Sequence, residues 1–382
     1  MIFISITLVM DLTISDYDWN NSPESNDIIR FGEGISFSDL TFSRIAQHLQ
    51  ITLFGDCTQG IQIEYFFNGS LYSFEKLEFA DGTSFNLSKT GLTLQQSNGD
   101  DSITGTQYDD VIYGYDGDDE LSGDRGNDTL IGGKGDDNLW GSYGTNTYIW
   151  NLGDGLDTIS SLYETQGIIQ FGEGISFNDL KFEILRTENS LRLYVNEDKT
   201  QGIIFSNFYT SHKYLLKFAD GTEYNLEEQG LTFTQSDTSE YISIPLADST
   251  VYDGNGDNTI TLSGGTNTVC AGKGNDTISG YNSNGTFIWN IGDGLDTFSF
   301  RYSTGGILQF GEGISFDDLV FEQDGIYCNL FYRGDRTQGI KGFRLNDFTL
   351  KFADGSSIEL SETPLKLIQT DISDNSVSGS SY

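Results

Sequence analysis

GYDGDDELSGDRGNDTLIGGKGDDNLW, residues 114–140, is three nine-residue units in tandem. Each has glycine at positions one and four, aspartate at position six and leucine at position eight. The frame extends both ways. Position six reads Asp101, Asp110, Asp119, Asp128, Asp137 and then Asn146, and position eight reads Ile103, Ile112, Leu121, Leu130, Leu139 and then Tyr148. A nine-residue unit is too short for a pair of helices and suits one glycine turn plus one short strand. The apolar residue of the strand faces inward and its two neighbours face outward. Two units close one coil, and coils stack as parallel strands about 4.8 Å apart. One unit alone buries almost nothing, so several must stack.

The stacking brings acids together. Units two apart lie on the same side of the coil, so Asp101, Asp119 and Asp137 form one column and Asp110, Asp128 and Asn146 the other. Two unit charges 4 Å apart repel by about 4 kcal/mol at an effective dielectric near 20, against a total domain stability of about 5–15 kcal/mol. A solvated acidic loop explains a single Gly-x-Asp. It does not explain five acids in strict register, each followed two residues later by Ile or Leu. A hard divalent cation between coils reverses the sign of the interaction. Calcium suits it: six to eight oxygen ligands, main-chain carbonyls included. Magnesium holds its water and demands octahedral geometry, and zinc wants Cys or His, which the array lacks.

These units resemble the RTX family, the haemolysin-type calcium-binding proteins, whose nonapeptide runs G-G-x-G-x-D-x-U-x. GGKGDDNLW (132–140) matches throughout; GDRGNDTLI (123–131) and GYDGDDELS (114–122) match except at the second glycine. The resemblance implies a parallel β-roll with calcium between turns, ligated by Asp101, Asp110, Asp119, Asp128 and Asp137. It also implies ligation by carbonyls of the glycine turns, here Gly114, Gly117, Gly123, Gly126, Gly132 and Gly135. Three full sites follow, from the pairs 101/119, 110/128 and 119/137; a fourth, 128/146, has Asn where the pattern wants Asp.

The frame returns between 238 and 287, eroded. Its apolar positions hold (Ile242, Val251, Ile260, Val269, Ile278, Phe287), while position six reads Glu240, Ser249, Asn258, Asn267, Asp276 and Gly285. One weak calcium site is expected there, around Asp276 and Asn258.

A second period, near 140 residues, encloses the first. FGEGISFSDLTF (31–42) returns as FGEGISFNDLKF (171–182) and FGEGISFDDLVF (310–321), each followed by TQGI (58–61, 200–203, 337–340) and FADG (79–82, 218–221, 352–355). These segments resemble the haemolysin-type calcium-binding-related domain. Asp-Gly between alternating apolar residues predicts short antiparallel hairpins. The pair WN precedes each copy, at Trp19, Trp150 and Trp289; the last two continue into GDGLD, whose Asp154, Asp157, Asp293 and Asp296 are candidates for a further ion where roll meets module.

The expected fold is therefore all-β, with parallel β-roll segments alternating with small antiparallel modules. The order is a first module over 1–97, entered part-way; a calcium-binding roll over 98–150; a second module over 151–236; an eroded roll over 237–288; a third module over 289–370; and over 371–382 a tail or the truncated start of another roll.

Composition narrows the partners. The 382 residues carry 20 basic and 57 acidic side chains, net −37. That excludes nucleic acid, which needs clustered Lys and Arg, disfavours an anionic membrane surface and favours cations. No apolar run approaches the ~20 residues of a membrane span. MIFISITLVM lacks a basic start and runs into Asp11, reading as a strand rather than a cleavable signal peptide. Cys57, Cys270 and Cys328 are odd in number and widely spaced, so no disulfide framework is implied. His48 and His212 sit in unmatched settings, and no H-E-x-x-H, G-x-S-x-G or phosphate loop occurs. The reading is a non-enzymatic, calcium-loaded scaffold. The resemblance implies secretion from a bacterium, through type I secretion machinery. The alternatives are the calcium-binding portion of a larger toxin, adhesin or secreted hydrolase, and a glycan-binding surface using Trp150 and Trp289.

Overall fold

The structure is a computed structural model. It describes residues 4–7, 12–15, 28–63, 66–68, 76–87, 89–160, 163–185, 190–208, 214–226, 230–234, 241–244, 248–262, 265–281, 285–301, 306–345, 348–361 and 367–369. Among these there is no α-helix; short strands and single 3₁₀ turns make up the regular structure. Among the described residues no helix is long and apolar enough to cross a membrane. The chain divides into two compact units, one of residues 1–180 and 194–224, the other of residues 181–193 and 225–382.

In the first unit the nine-residue frame forms two parallel walls. One wall stacks Thr93–Gln95, Val111–Asp116, Thr129–Lys134 and Gly144–Trp150, with Leu94, Ile112, Leu130 and Tyr148 in register. The other stacks Ser102–Thr104, Glu120–Ser122, Asn138–Trp140 and Leu156–Ser160, with Ile103, Leu121, Leu139 and Ile159 in register. All eight apolar side chains are at most 1% exposed. Burying one Leu or Ile is worth about 1.5–3 kcal/mol, while fixing the backbone of each residue costs about 1–2 kcal/mol. A unit carrying one such residue gains stability only from the coil on either side.

The ladders run on past Trp150. Glu164–Phe171 adds parallel to Gly144–Trp150, and Tyr214–Lys217 adds parallel to that; on the other wall Asp198–Ser206 adds parallel to Leu156–Ser160. The second module thus begins as an enlarged coil. Antiparallel structure appears where alternation and Asp-Gly turns predict it. In the first module Leu40–Ile45, His48–Leu53 and Asp56–Ile63 form a meander, and Lys76–Glu78 pairs with Ser84–Asn86 around FADG. The turn is fixed by Asp81, whose Oδ1 accepts the Thr83 N–H at 2.8 Å, and by Gly82 at φ +86°.

The second unit repeats the plan. Thr232–Thr234, Thr250–Tyr252, Thr268–Cys270, Thr286–Trp289 and Gly306–Phe310 stack as one wall. Tyr241–Ile244, Thr259–Leu262, Thr277–Tyr281 and Leu295–Arg301 stack as the other. Its module has the meander Leu319–Asp324, Tyr327–Tyr332, Asp335–Phe343 and the hairpin Phe348–Lys351 with Ser357–Glu359. Leu367–Gln369 pairs parallel with the first strand of that meander, as Thr93–Gln95 does in the first module.

Trp150 and Trp289 are core residues, each 1% exposed and set edge-on to Phe171 and Phe310. Neither offers a face to a sugar. Trp19, His212 and the tail at 371–382 lie outside the described residues.

Candidate metal centre

The stacking forms the acid columns through the backbone. In each loop the position-six side chain turns inward, and its Oδ1 accepts the N–H of the position-six residue one coil earlier. On one side Asp119 Oδ1 accepts from Asp101 and Asp137 Oδ1 from Asp119, both at 2.8 Å. On the other, Asp128 Oδ1 accepts from Asp110 and Asn146 Oδ1 from Asp128, again at 2.8 Å. The first member of the second column, Asp110, takes the Leu92 N–H at 2.6 Å.

That bond accounts for one oxygen of each carboxylate. The Oδ2 atoms of Asp119, Asp128 and Asp137 are buried without a hydrogen-bond partner. Leaving an acceptor buried and unpaired costs about 1–3 kcal/mol, more for a charged group. Three in register at the turns are a cradle for a cation. The two end members differ: Asp101 Oδ2 takes the Ser97 N–H and hydroxyl at 3.0 and 2.8 Å, and Asp110 Oδ2 takes those of Thr106 at 2.5 and 2.9 Å. At the start of each column a hydroxyl residue occupies loop position two and satisfies the oxygen that the interior coils leave bare.

The glycines have two distinct jobs. At position one the absent side chain makes room for the carboxylate: a Cβ at Gly114 would overlap Asp119 Oδ2 and stand 2.5 Å from the Gly132 carbonyl oxygen of the next coil. Gly123 and Gly132 stand in the same relation to Asp128 and Asp137. At position four, Gly117, Gly126 and Gly135 have φ between +125° and +138°, and a Cβ there would strike the backbone of the loop below. Among the described residues no three His, Cys, Asp or Glu side chains converge on one point. An ion between coils would therefore rest on one or two carboxylates and on main-chain oxygens, a donor set that fits calcium.

Electrostatics agrees. Burial pushes the carboxyl of Asp110 up to about 6, Asp137 to about 7 and Asp128 to about 8, and raises Asp119 as well; hydrogen bonds from the backbone offset part of this. Neighbouring carboxylates add to the rise, Asp110 acting on Asp128 and Asp119 on Asp137. Without a cation Asp128 keeps its proton at neutrality and Asp137 titrates there.

The columns also extend where an 18-residue step does not reach. Asp157 Oδ1 accepts the Asp137 N–H at 3.2 Å across a coil of 20 residues, so Asp157 is the next member of the first column, with its carboxyl pushed by burial up to about 9. Asp154 instead accepts the N–H and side-chain amide of Asn151, at 2.7 and 3.1 Å, and ties the WN turn. The second unit copies both relations, with Asp296 on Asp276 at 3.0 Å and Asp293 on Asn290. TQGI serves the same loops: Gln201 Oε1 accepts the Gly153 N–H and Gln338 Oε1 the Gly292 N–H, each at 2.9 Å.

Asn146 and Asn258 behave differently from the aspartates around them. With Asn146 Oδ1 on the Asp128 N–H, the amide nitrogen takes the inward place and has no partner. Turning the amide over would set its N–H₂ against the Asp128 N–H. The pair 128/146 therefore presents a donor to any ion. Asn258 gives its amide to the Gly256 carbonyl at 3.0 Å and its backbone N–H to Asp276 Oδ1 at 2.7 Å. Asp276 Oδ2 is buried without a partner, and burial pushes that carboxyl up to about 7, with Asp253, Asp257 and Asp293 the neighbouring charges that add to it. The other column of that roll carries Ser249 and Asn267, with no charge.

One ladder escaped the sequence reading. At position five, one residue outward, Asp118 Oδ1 accepts the Asp136 N–H at 2.9 Å and Asp100 Oδ1 the Asp118 N–H at 3.0 Å. On the opposite side, Asp109 accepts from Asn127 and Asn127 from Thr145. These exposed carboxylates and amides brace neighbouring coils. The signal was present: position five reads Asp or Asn in the five consecutive units from Asp100 to Asp136.

Comparisons with known proteins find the repeats and part of one module. A family model of the RTX calcium-binding nonapeptide repeat matches residues 96–130, 122–159 and 247–278, and one of the haemolysin-type calcium binding protein related domain matches residues 48–89. No curated protein matches the chain. Among solved structures, the extracellular lipase LipA from Serratia marcescens matches at 16% identity, over 75% of this chain and 44% of that one, with a TM-score of 0.24. The chain thus spans less than half the length of that lipase.

Proposed function

We propose that this chain, which carries RTX calcium-binding repeats on an all-β solenoid, is a secreted scaffold whose first roll sets only when calcium enters between its coils. On this reading its work is binding and support rather than catalysis. The observation that carries the reading is the register of bare, buried oxygens: Oδ2 of Asp119, Asp128 and Asp137, each beside a glycine that leaves space at its side. A calcium ion placed there meets the side-chain oxygens of two successive coils and the carbonyls of the glycine turns, and ties strands that otherwise repel. Asp157 extends this set at the boundary with the module.

The same register gives the scaffold its place of action. Calcium-poor surroundings leave the acid-dense roll loose, and calcium-rich surroundings set it, because ligand binding that exists only in the folded state is folding free energy. The net charge of −37 supports this, since the unset chain repels itself. The test is a calcium titration of chelated protein at pH 7.5, followed by far-UV circular dichroism and thermal melting. The expected result is a gain of β-signal and a rise in melting temperature with calcium and none with magnesium. An unchanged spectrum and melting temperature across the titration would sink the proposal.

A further inference from the structure

The second roll has lost most of its position-six acids, yet Asp276 keeps a fully buried Oδ2 with no partner. The loop beneath it, 253–258, reads D-G-N-G-D-N against G-Y-D-G-D-D at 114–119. Position six has become Asn258, and position one, glycine throughout the first roll's interior, has become Asp253. The two loops share their backbone at position four and differ at position two, where Tyr115 has φ +81° and Gly254 has no positive φ. Gly256 has φ +126° where Gly117 has +131°. Gly256 N–H donates to the Lys273 carbonyl at 2.6 Å, as Gly117 N–H does to that of Lys134 at 2.8 Å.

The first roll shows where a position-one side chain points: a Cβ at Gly114 enters the slot between its own loop and the next, against Asp119 Oδ2 and the Gly132 carbonyl. The Asp253 carboxylate keeps Oδ1 on the Gly254 N–H at 2.9 Å, which leaves Oδ2 for the slot between 253–258 and 271–276, and it stands first among the neighbouring charges acting on Asp276. Its backbone is held there, the Asp253 N–H donating to the Cys270 carbonyl at 2.8 Å. The adjacent loop carries Ala271 in place of glycine at position one, so the exchange is confined to the one loop.

We propose that Asp253 and Asp276 hold a calcium ion between these two loops, the carboxylate missing at position six being supplied from position one. This site uses a residue type that the nonapeptide pattern does not place there. It rests on the reading of the first roll as calcium-binding, with the donor set altered. Main-chain oxygens complete it: the carbonyls of Asp253, Gly254 and Gly256 face the loop 271–276.

The experiment counts calcium on the full chain by native mass spectrometry and calorimetry, with calcium itself as the probe. Asp253→Asn is expected to remove one ion relative to the parent. Combining Asp253→Gly with Asn258→Asp, which moves the charge back to position six, is expected to restore it. Asp128→Asn serves as the reference for the first roll. Loss at Asp128→Asn with no loss at Asp253→Asn overturns this site alone, and absence of calcium from the parent chain overturns the function as well. Should Asp253→Asn fold poorly by circular dichroism, the double variant decides: a folded chain with one ion fewer than the parent refutes the exchange.

Discussion

Asp128→Asn should change the sign of its effect with calcium. In the calcium-free fold, burial and Asp110 hold the Asp128 carboxyl protonated up to about pH 8, against about 3.9 in the unfolded chain. A group whose folded value is raised contributes stability below about pH 4 and loses it as pH rises toward the folded value. At pH 7 the loss is about 4 kcal/mol. Asparagine has no proton to hold. It retains the Oδ1 that accepts from Asp110, and it leaves a buried amide N–H₂ unpaired, as Asn146 does, which costs about 1–3 kcal/mol. Without calcium the variant should therefore be more stable by about 1–3 kcal/mol. With calcium at a thousand times its dissociation constant, the parent gains about 4 kcal/mol per site. The variant loses at least the site between Asp110 and Asp128 and becomes the less stable protein. Hydrogen exchange of peptides from 111–150, with chelator and with calcium, reads both signs locally. A substitution that destabilises equally under both conditions would show that Asp128 is a structural hydrogen-bonding residue and not a ligand.

Four further outcomes are expected. The calcium-free first roll should lose stability as pH rises from 5 to 9, through the raised values of Asp110, Asp137, Asp128 and Asp157, and calcium should abolish that slope; urea midpoints at each pH check it, and a midpoint that climbs with pH in chelator contradicts it. Asn146→Asp should add one bound calcium by native mass spectrometry, because it replaces the inward amide with an oxygen; an unchanged count refutes the account of that pair. Gly135→Ala should cost the roll about 3 kcal/mol or more, since its Cβ would strike the Gly117 backbone at a φ that favours glycine, while Gly153→Ala, open on all sides, should cost about 1 kcal/mol; equal melting temperatures would disprove the distinction. Leu130→Ala should cost about 2–5 kcal/mol in calcium, and a smaller loss in the circular dichroism melt would mean that the core column relaxes around it.

The roll was legible because its period is short and its register strict. Leu121 and Leu139 could pair with nothing but each other's coil, and the position-six acids followed. Asp157 and Asp296 were harder: their coils have two extra residues, so the nine-step count loses them, though GDGLD shows the glycines and the acid in the right order. The modules were legible as hairpins at FADG and opaque elsewhere. Alternation in Glu164–Phe171 reports a strand and one buried face, and it says nothing about whether the neighbour runs parallel. The position-five ladder was missed because an exposed Asp or Asn in a turn already has a sufficient local explanation, and only the stacked coil shows that its acceptor is used at long range.

A consequence follows from the way each coil repeats the same acceptors, position six serving the coil before and position five the coil after. The molecule counts in eighteens. Insertion or loss of two units would exchange one identical rung for another and leave both columns in phase. Insertion or loss of a single unit would swap left for right from that point onward, carrying Asp157 and the clasp of Gln201 on Gly153 to the wrong flank. Length in such an array can change, in whole turns, without disturbing what stands at either end.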